Sequence, residues 1–338
     1  MSESLESAIA RRHFVNDPRR IVPEALAGFE RANRALVRWN REPSFVVRAA
    51  DDGPPRVGLL AGGGSGHEPL HVGFVGRGML DAACPGQIFT SPTPDQIVEA
   101  AQDLAGEAGA LFIVKNYAGD RMNFEMAAEI ATCRNETLLV DDDVSEEETS
   151  RGVGRRGVAG TMIVEKMLGA AAEAGADLAT CLRLGAKVKL RTRSIGVALS
   201  YCTLPGESQR SFALGPDEME LGVGIHGEPG RRKVPFANAD AIAEQLVDTI
   251  VGDLANPKSG EALLLINGFG GSPLIELYGM YNAARRSLEG RGVRVVRSLV
   301  GNFVTSLDMV GCSITVCLLD EELARLWDSP VHTAALRW

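Results

Sequence analysis

Short apolar runs alternate along most of the chain with alanine-rich stretches whose apolar residues recur every three or four positions. The first kind predicts strands and the second helices, the layered order of an α/β protein with parallel strands. Strands are predicted at 56–60, entering a glycine loop, at 110–115, ending in Asn116, and at 136–140, ending in Asp141, Asp142 and Asp143. Helical spacing covers 94–104 and 123–132, and 160–174 is apolar on most faces and so predicts a buried helix. In the second half, 194–200, 219–225, 261–266, 293–299 and 313–319 read as strands, with helices at 237–251, 274–288 and 321–327. The texture changes near 185–193, where a basic stretch precedes the new strand set. This divides the chain into two α/β domains, each a sheet flanked by helices, over 1–190 and 191–338.

Composition narrows the function classes. With 45% hydrophobic and 23% charged residues, 338 residues can bury a sizeable core. The net charge of −9 argues against broad attachment to nucleic acid or an anionic membrane. No apolar stretch approaches the roughly 18 residues of a spanning helix. Residues 1–14 are polar and lack the apolar core of a secretory signal. Cys84, Cys133, Cys181, Cys202, Cys312 and Cys317 are widely spread and form no CxxC pair, so buried thiols in a reducing cytoplasm are expected rather than zinc or disulfides.

Three segments carry the candidate chemistry, two of them glycine-rich. In the segment from Ala61 to Pro69, Gly62, Gly63, Gly64 and Gly66 surround Ser65 and lead to His67 and Glu68. Glycines permit positive φ and let backbone amides approach a ligand, and Pro69 is expected to open a helix. The segment has neither the Gly-Lys-Ser/Thr of a P-loop nor the last glycine of G-x-G-x-x-G, so nucleotide is not implied. In the second segment Lys115 ends a strand and Asp120 follows a glycine turn, where open α/β sheets bind ligands. The plain alternative is that Lys115 pairs with a surface acid and Asp120 caps the next helix. In the third, His226 lies among glycines too small to pack it and, like His67, is followed closely by Glu-Pro. Neutral imidazole can be a nucleophile or a general base, which makes both histidines candidates.

Three weaker signals have plain readings. His71, four residues after His67, could share a helix face with it, but a metal pair lacks a clear third ligand. Asp141 to Asp143 could hold Mg²⁺, against the simpler expectation of a solvated turn with one helix cap. Gly154-Arg155-Arg156-Gly157 could bind an anion, and anchoring one domain to the other by ion pairs is preferred.

Taken together, GGGSGHEP (62–69), VKNYAGDRMNF (114–124), GRRGVAGT (154–161), ELGVGIHGEPG (220–230), NGFGGSPLIELY (267–278), SLVGNFVTSLDM (298–309) and PVHTAALRW (330–338) resemble the dihydroxyacetone kinase family, specifically its substrate-binding K subunit, over nearly the whole chain. The resemblance implies that His226 adds through a ring nitrogen to the ketone carbon of dihydroxyacetone, forming a hemiaminal that glycerol cannot form. It implies that His67 hydrogen-bonds the substrate as proton acceptor or donor, that Gly64, Ser65 and Gly66 supply a close backbone wall, and that Lys115 and Asp120 contact substrate, with Asp120 the base for the attacking hydroxyl.

The resemblance also implies a homodimer that binds no cofactor or metal of its own. ATP or ADP with Mg²⁺ is expected on a separate L-type subunit, since the chain to Trp338 leaves no room for that domain. The ultimate donor, ATP or a phosphoenolpyruvate phosphotransferase system, stays open. Leu70, Val72 and Cys312 depart from the family pattern, which could reshape the pocket for a longer ketose such as erythrulose. A ketone-sensing coactivator acting through a transcription regulator is the alternative, disfavoured by His67, Lys115 and Asp120 together. A phosphohistidine carrier is a third reading, which the resemblance opposes.

Overall fold

A computed structural model describes residues 13–49, 55–104, 106–145, 154–206, 214–228, 230–255, 257 and 260–338. Most of the expected signal-free N-terminus lies outside them. The first half runs α1 (Ile21–Ala32), β1 (Val37–Asn40), β2 (Phe45–Arg48), β3 (Gly58–Ser65), β4 (Gly76–Arg77), β5 (Ala82–Ile88), α2 (Pro94–Leu104), β6 (Ala110–Lys115), α3 (Ala118–Ile130), β7 (Asn135–Val140), α4 (Gly160–Glu173) and α5 (Leu178–Leu190). Its six-stranded sheet has the order β1-β2-β5-β3-β6-β7. The four strands from β5 to β7 are parallel, and β2 and β1 extend the sheet antiparallel.

The second half runs β8 (Thr192–Ala198), β9 (Glu218–Leu221), β10 (Arg232–Pro235), α6 (Ala239–Asp253), β11 (Glu261–Gly268), α7 (Leu274–Gly290), β12 (Arg294–Gly301), β13 (Gly311–Leu319), α8 (Glu321–Asp328) and β14 (His332–Thr333). Its six strands lie in the order β10-β9-β8-β13-β11-β12. The parallel expectation fails here: β11 pairs parallel with β12, whereas its other pairings are antiparallel. The connections explain this. Parallel neighbours need a crossover, which α7 provides between β11 and β12, whereas the loop from β12 into β13 contains no helix and turns the chain back.

Three local expectations also change. The glycines 62–64 belong to β3 rather than to a loop after it, and positive φ enters only at Gly66 (101°). Their need is close approach: a Cβ on Gly62 would lie 2.7 Å from Cys84 O, and one on Gly64 2.6 Å from Thr90 N. No α-helix opens at Pro69. Residues 70–75 are all buried and form only a 3-10 turn at Val72–Phe74. Finally, α3 begins at Ala118, so Asp120 lies in its first turn.

Helix α4 joins the halves. Every residue from Gly160 to Ala172 is buried, because the helix packs against β3 and β6 of one sheet and β8 of the other, with α5 and α8 beside it. Asp142 starts it, accepting from the backbone N–H groups of Val158 (2.8 Å) and Gly160 (2.7 Å), and Ser194 Oγ of β8 donates to the same carboxylate. The triple aspartate is therefore not a solvated turn, since Asp142 and Asp143 are both 1% exposed between the sheets. The chain's end returns to the first half, where His332 and Thr333 pair with Arg77 and Gly76.

Candidate functional site

Lys115, at the end of β6, is fully buried, and its ammonium is held on three sides. Gly62 O lies 3.1 Å away, His71 Nε2 3.0 Å and Asp120 Oδ2 3.2 Å. The surface-pair and helix-cap alternatives therefore do not describe Lys115 and Asp120: they pair with each other in the interior. Asp120 Oδ1 also accepts from Ser91 Oγ at 2.5 Å. Room for this cluster comes from Gly63, where a Cβ would stand 2.1 Å from Lys115 Nζ.

His67 sits just beyond the glycines. Its Nδ1 lies 2.8 Å from Thr305 O, and a carbonyl can only accept, so Nδ1 carries the proton and Nε2 presents a lone pair. Among the described residues that Nε2 is buried without a hydrogen-bond partner. The Thr305 carbonyl is set by Asn267 at the end of β11, whose side chain accepts from Phe303 and Val304 N–H and donates to Val304 O. Gly66 and Leu307 join the two segments through the Leu307 N–H, 2.9 Å from Gly66 O. Burial first, then the Lys115 charge, with any proton on His226 acting the same way, holds the His67 imidazole well below its ordinary pKa.

His226 reaches this place from the second half. Its ring stands edge-on to those of His67 (centroids 4.7 Å apart), Tyr117 (4.4 Å) and Phe89 (5.5 Å), and Phe89 stacks on His67 at 5.0 Å. Burial, then Lys115 and Arg156, pull the His226 pKa down to about 3, so the imidazole is neutral at pH 7. Its backbone N–H donates to Glu228 Oε2 at 2.8 Å. The Tyr117 hydroxyl, like His67 Nε2, is buried without a partner. Two unpaired polar atoms thus flank a neutral imidazole, an arrangement suited to a small ligand rich in oxygens.

Other marked residues are placed elsewhere. His71 does not share a helix face with His67; it turns to Lys115 and to Glu165 of α4, and among the described residues no group of three or more potential ligands could hold a metal. Arg156 binds Asp143, Ser145 Oγ and Gly222 O, and Arg155 binds Asp253 of α6, so this segment ties the halves together. Ser65 Oγ donates to Gly86 O, leaving its backbone as the part that borders the site. Leu70 and Val72 line an apolar cavity of about 170 Å³ between α1 and the glycines, and Cys312 lines another beside α7; none of the three is among the ring neighbours of His226. All six cysteines are free thiols. The sequence reading did not single out Phe89, Tyr117, Glu165 or Thr305. The only signal for Tyr117 was its place inside the Lys115–Asp120 segment.

Comparison with known proteins agrees in fold and sequence. The Dak1 domain family matches residues 27–335. The dihydroxyacetone-binding subunit DhaK of the PEP-dependent dihydroxyacetone kinase of Escherichia coli (strain K12) is 42% identical over 354 residues, covering 97% of this chain and 99% of that protein. The crystal structure of the dihydroxyacetone kinase of C. freundii in its native form superposes with a TM-score of 0.88 at 38% identity, over 96% of this chain and 60% of that one. A dihydroxyacetone kinase operon co-activator superposes with a TM-score of 0.85 at 33% identity, over 92% of this chain and 96% of that one. With a family match across most of its length and a relative aligned end to end, the chain belongs to the Dak1 family, that of the dihydroxyacetone-binding subunits of dihydroxyacetone kinases.

Proposed function

We propose that this chain is the ketose-binding subunit of a dihydroxyacetone-type kinase. A ring nitrogen of His226 adds to the ketone carbon of dihydroxyacetone or a related short ketose, the C=O double bond opens, and the ring proton passes by way of His67 to the new hydroxyl. The observation that carries this reading is the unpaired Nε2 of His67 beside the neutral His226 ring, with centroids 4.7 Å apart. A neutral imidazole has the free lone pair that addition requires, and the adjacent acceptor gives its proton somewhere to go. An alcohol carbon cannot take this addition, so glycerol is rejected by chemistry rather than by size.

Gly64, Ser65 and Gly66 supply the backbone wall, and Asp120, steadied by Lys115, accepts the proton of the hydroxyl that attacks phosphorus. The phosphoryl group comes from a nucleotide, ATP or ADP recharged by a phosphoenolpyruvate phosphotransferase system, held with Mg²⁺ by an L-type partner subunit, and the chain works as a homodimer. The fold does not separate this role from that of a co-activator. The buried Lys115–Asp120 pair favours transfer chemistry, because sensing a ketone needs no base for its hydroxyl.

Carbon NMR with carbonyl-labelled dihydroxyacetone tests the reading. The carbonyl signal should give way to a bound tetrahedral carbon, absent in His226→Ala and absent with glycerol. No bound carbon with dihydroxyacetone or a four-carbon ketose would remove both the substrate assignment and the role of His226.

A further inference from the structure

Behind the Lys115 ammonium lies a pair of side chains that this chemistry leaves unused. His71 Nε2 is 3.0 Å from Lys115 Nζ, and His71 Nδ1 is 2.5 Å from Glu165 Oε1. With Asp120 they form one row, Asp120–Lys115–His71–Glu165, whose members are between 0% and 4% exposed. The row crosses four separate segments: α3, β6, the turn after β3, and α4.

Proton counting fixes its direction. An ammonium has three N–H groups, and Lys115 has three acceptors around it: Gly62 O, Asp120 Oδ2 and His71 Nε2. Nε2 must therefore be bare, and the ring proton sits on Nδ1, donated to Glu165 Oε1. Oε1 can accept whether Glu165 is a carboxylate or a neutral acid with its proton on Oε2, and among the described residues Oε2 has no partner. Burial drives the Glu165 carboxyl well above its usual range, opposed by Lys115, and holds the His71 ring well below its own, helped by the Lys115 charge. The opposite tautomer would point Nε2–H at an ammonium, two donors face to face in a dry interior. Packing alone does not hold the ring, because His71 borders the apolar cavity of about 170 Å³ beneath α1.

We infer that Glu165 and His71 are positioning residues for phosphoryl transfer: Glu165 locks the His71 tautomer, and the bare His71 nitrogen completes the cage that aims the Lys115 ammonium at Asp120. The inference rests on the kinase reading and extends it to residues that never touch substrate. Without the lock, Lys115 loses one of its three anchors and Asp120 its fixed cation, while the His226 ring keeps its surroundings. Ketone capture and phosphoryl transfer should therefore part company.

The test compares Glu165→Leu with Glu165→Gln, assaying ketone capture by carbon NMR and phosphorylation with the L-type subunit and the donor, ATP or a phosphoenolpyruvate phosphotransferase system, that the wild type uses. Misplacement of a catalytic group by about an ångström costs about 10²-fold. E165L should capture ketone like the wild type yet lose about that much in kcat, whereas E165Q, whose amide oxygen can still accept from Nδ1, should recover most of it. Wild-type kcat in E165L, or equal losses in E165L and E165Q, overturns the inference while capture by the wild type keeps the kinase reading. If E165L does not fold, ring ¹⁵N NMR of the wild type decides: His71 should be neutral with its proton on Nδ1, and a protonated Nε2 overturns the lock.

Discussion

Glu228 fastens His226 by its backbone: Oε2 accepts the His226 N–H at 2.8 Å, while Oε1 accepts from Arg156 Nη1 at 3.2 Å. The ketone-binding candidate of one half is thereby held by a guanidinium of the other. Arg156 is itself fixed by Asp143, Ser145 Oγ and Gly222 O. Replacing it with Gln would leave the Asp143 carboxylate, 1% exposed, without its cation. Arg156→Gln should lower folding stability by about 3–5 kcal/mol, seen as a lower urea midpoint, and Arg156→Lys should recover only part because it lacks the fork.

The acid response follows from the histidines. His226 titrates at about 3 in the folded chain against 6.5 for an ordinary imidazole. The folded protein therefore leaves it neutral while an unfolded chain takes up a proton. Its contribution to stability is full above pH 6.5 and declines as the pH falls toward 3, and His67 and His71 shift in the same direction. Ketone capture, followed by NMR, should be level from about pH 8 to about pH 5, with no midpoint near that of free histidine. A titration centred near 6.5 would contradict the neutral, shielded ring.

Gly63→Ala tests the close approach of β3 and Lys115. Its Cβ would fall 2.1 Å from Nζ, so the ammonium must leave either Gly62 O or His71. The fold should survive at a cost of about 1–3 kcal/mol, because the clash is with the end of a flexible side chain. Phosphorylation should fall by about 10²-fold, measured as kcat at saturating ketone.

Tyr117→Phe removes a buried hydroxyl that has no partner among the described residues. Stability should hold or rise by up to about 1 kcal/mol in thermal unfolding. Ketone affinity should fall by about tenfold, the worth of one hydrogen bond made only when ligand is present. An unchanged affinity would place the hydroxyl outside the ligand's reach.

Much of the frame was legible because periodicity reports burial. The buried helix at 160–174, the strand ending at Lys115 and the division of the strands into two sets all follow from it. Antiparallel pairing in the second sheet was not legible: β13 is buried along its whole length and reads as the same apolar run in either direction. Nor were β1, β2, β5 and β10, which are short or carry Pro and Gly. In the site, glycine settings marked His67 and His226, but their rings meet only in the folded chain, 159 positions apart in sequence. Phe89 gave no signal and Thr305 only its place in the 298–309 segment, one acting through a ring face and the other through a carbonyl that every residue has.

The pairing of β14 with β4 bears on how the chain is made. Thr333 lies against Gly76, Ala335 N–H donates to Gly73 O, and a Cβ on Gly76 would press on His332 O. The turn that follows the glycine strand, carrying His67 and His71, is thus closed by residues made about 250 positions later. A domain completed early in synthesis would fold behind the exit tunnel while its sequel is still being translated. Here the first sheet can form at that stage, but its glycine-rich end must wait for the later segment, so nascent chains halted before Val331 should display an open, protease-sensitive segment around residues 66–78 and acquire ketone binding only once 331–338 have emerged.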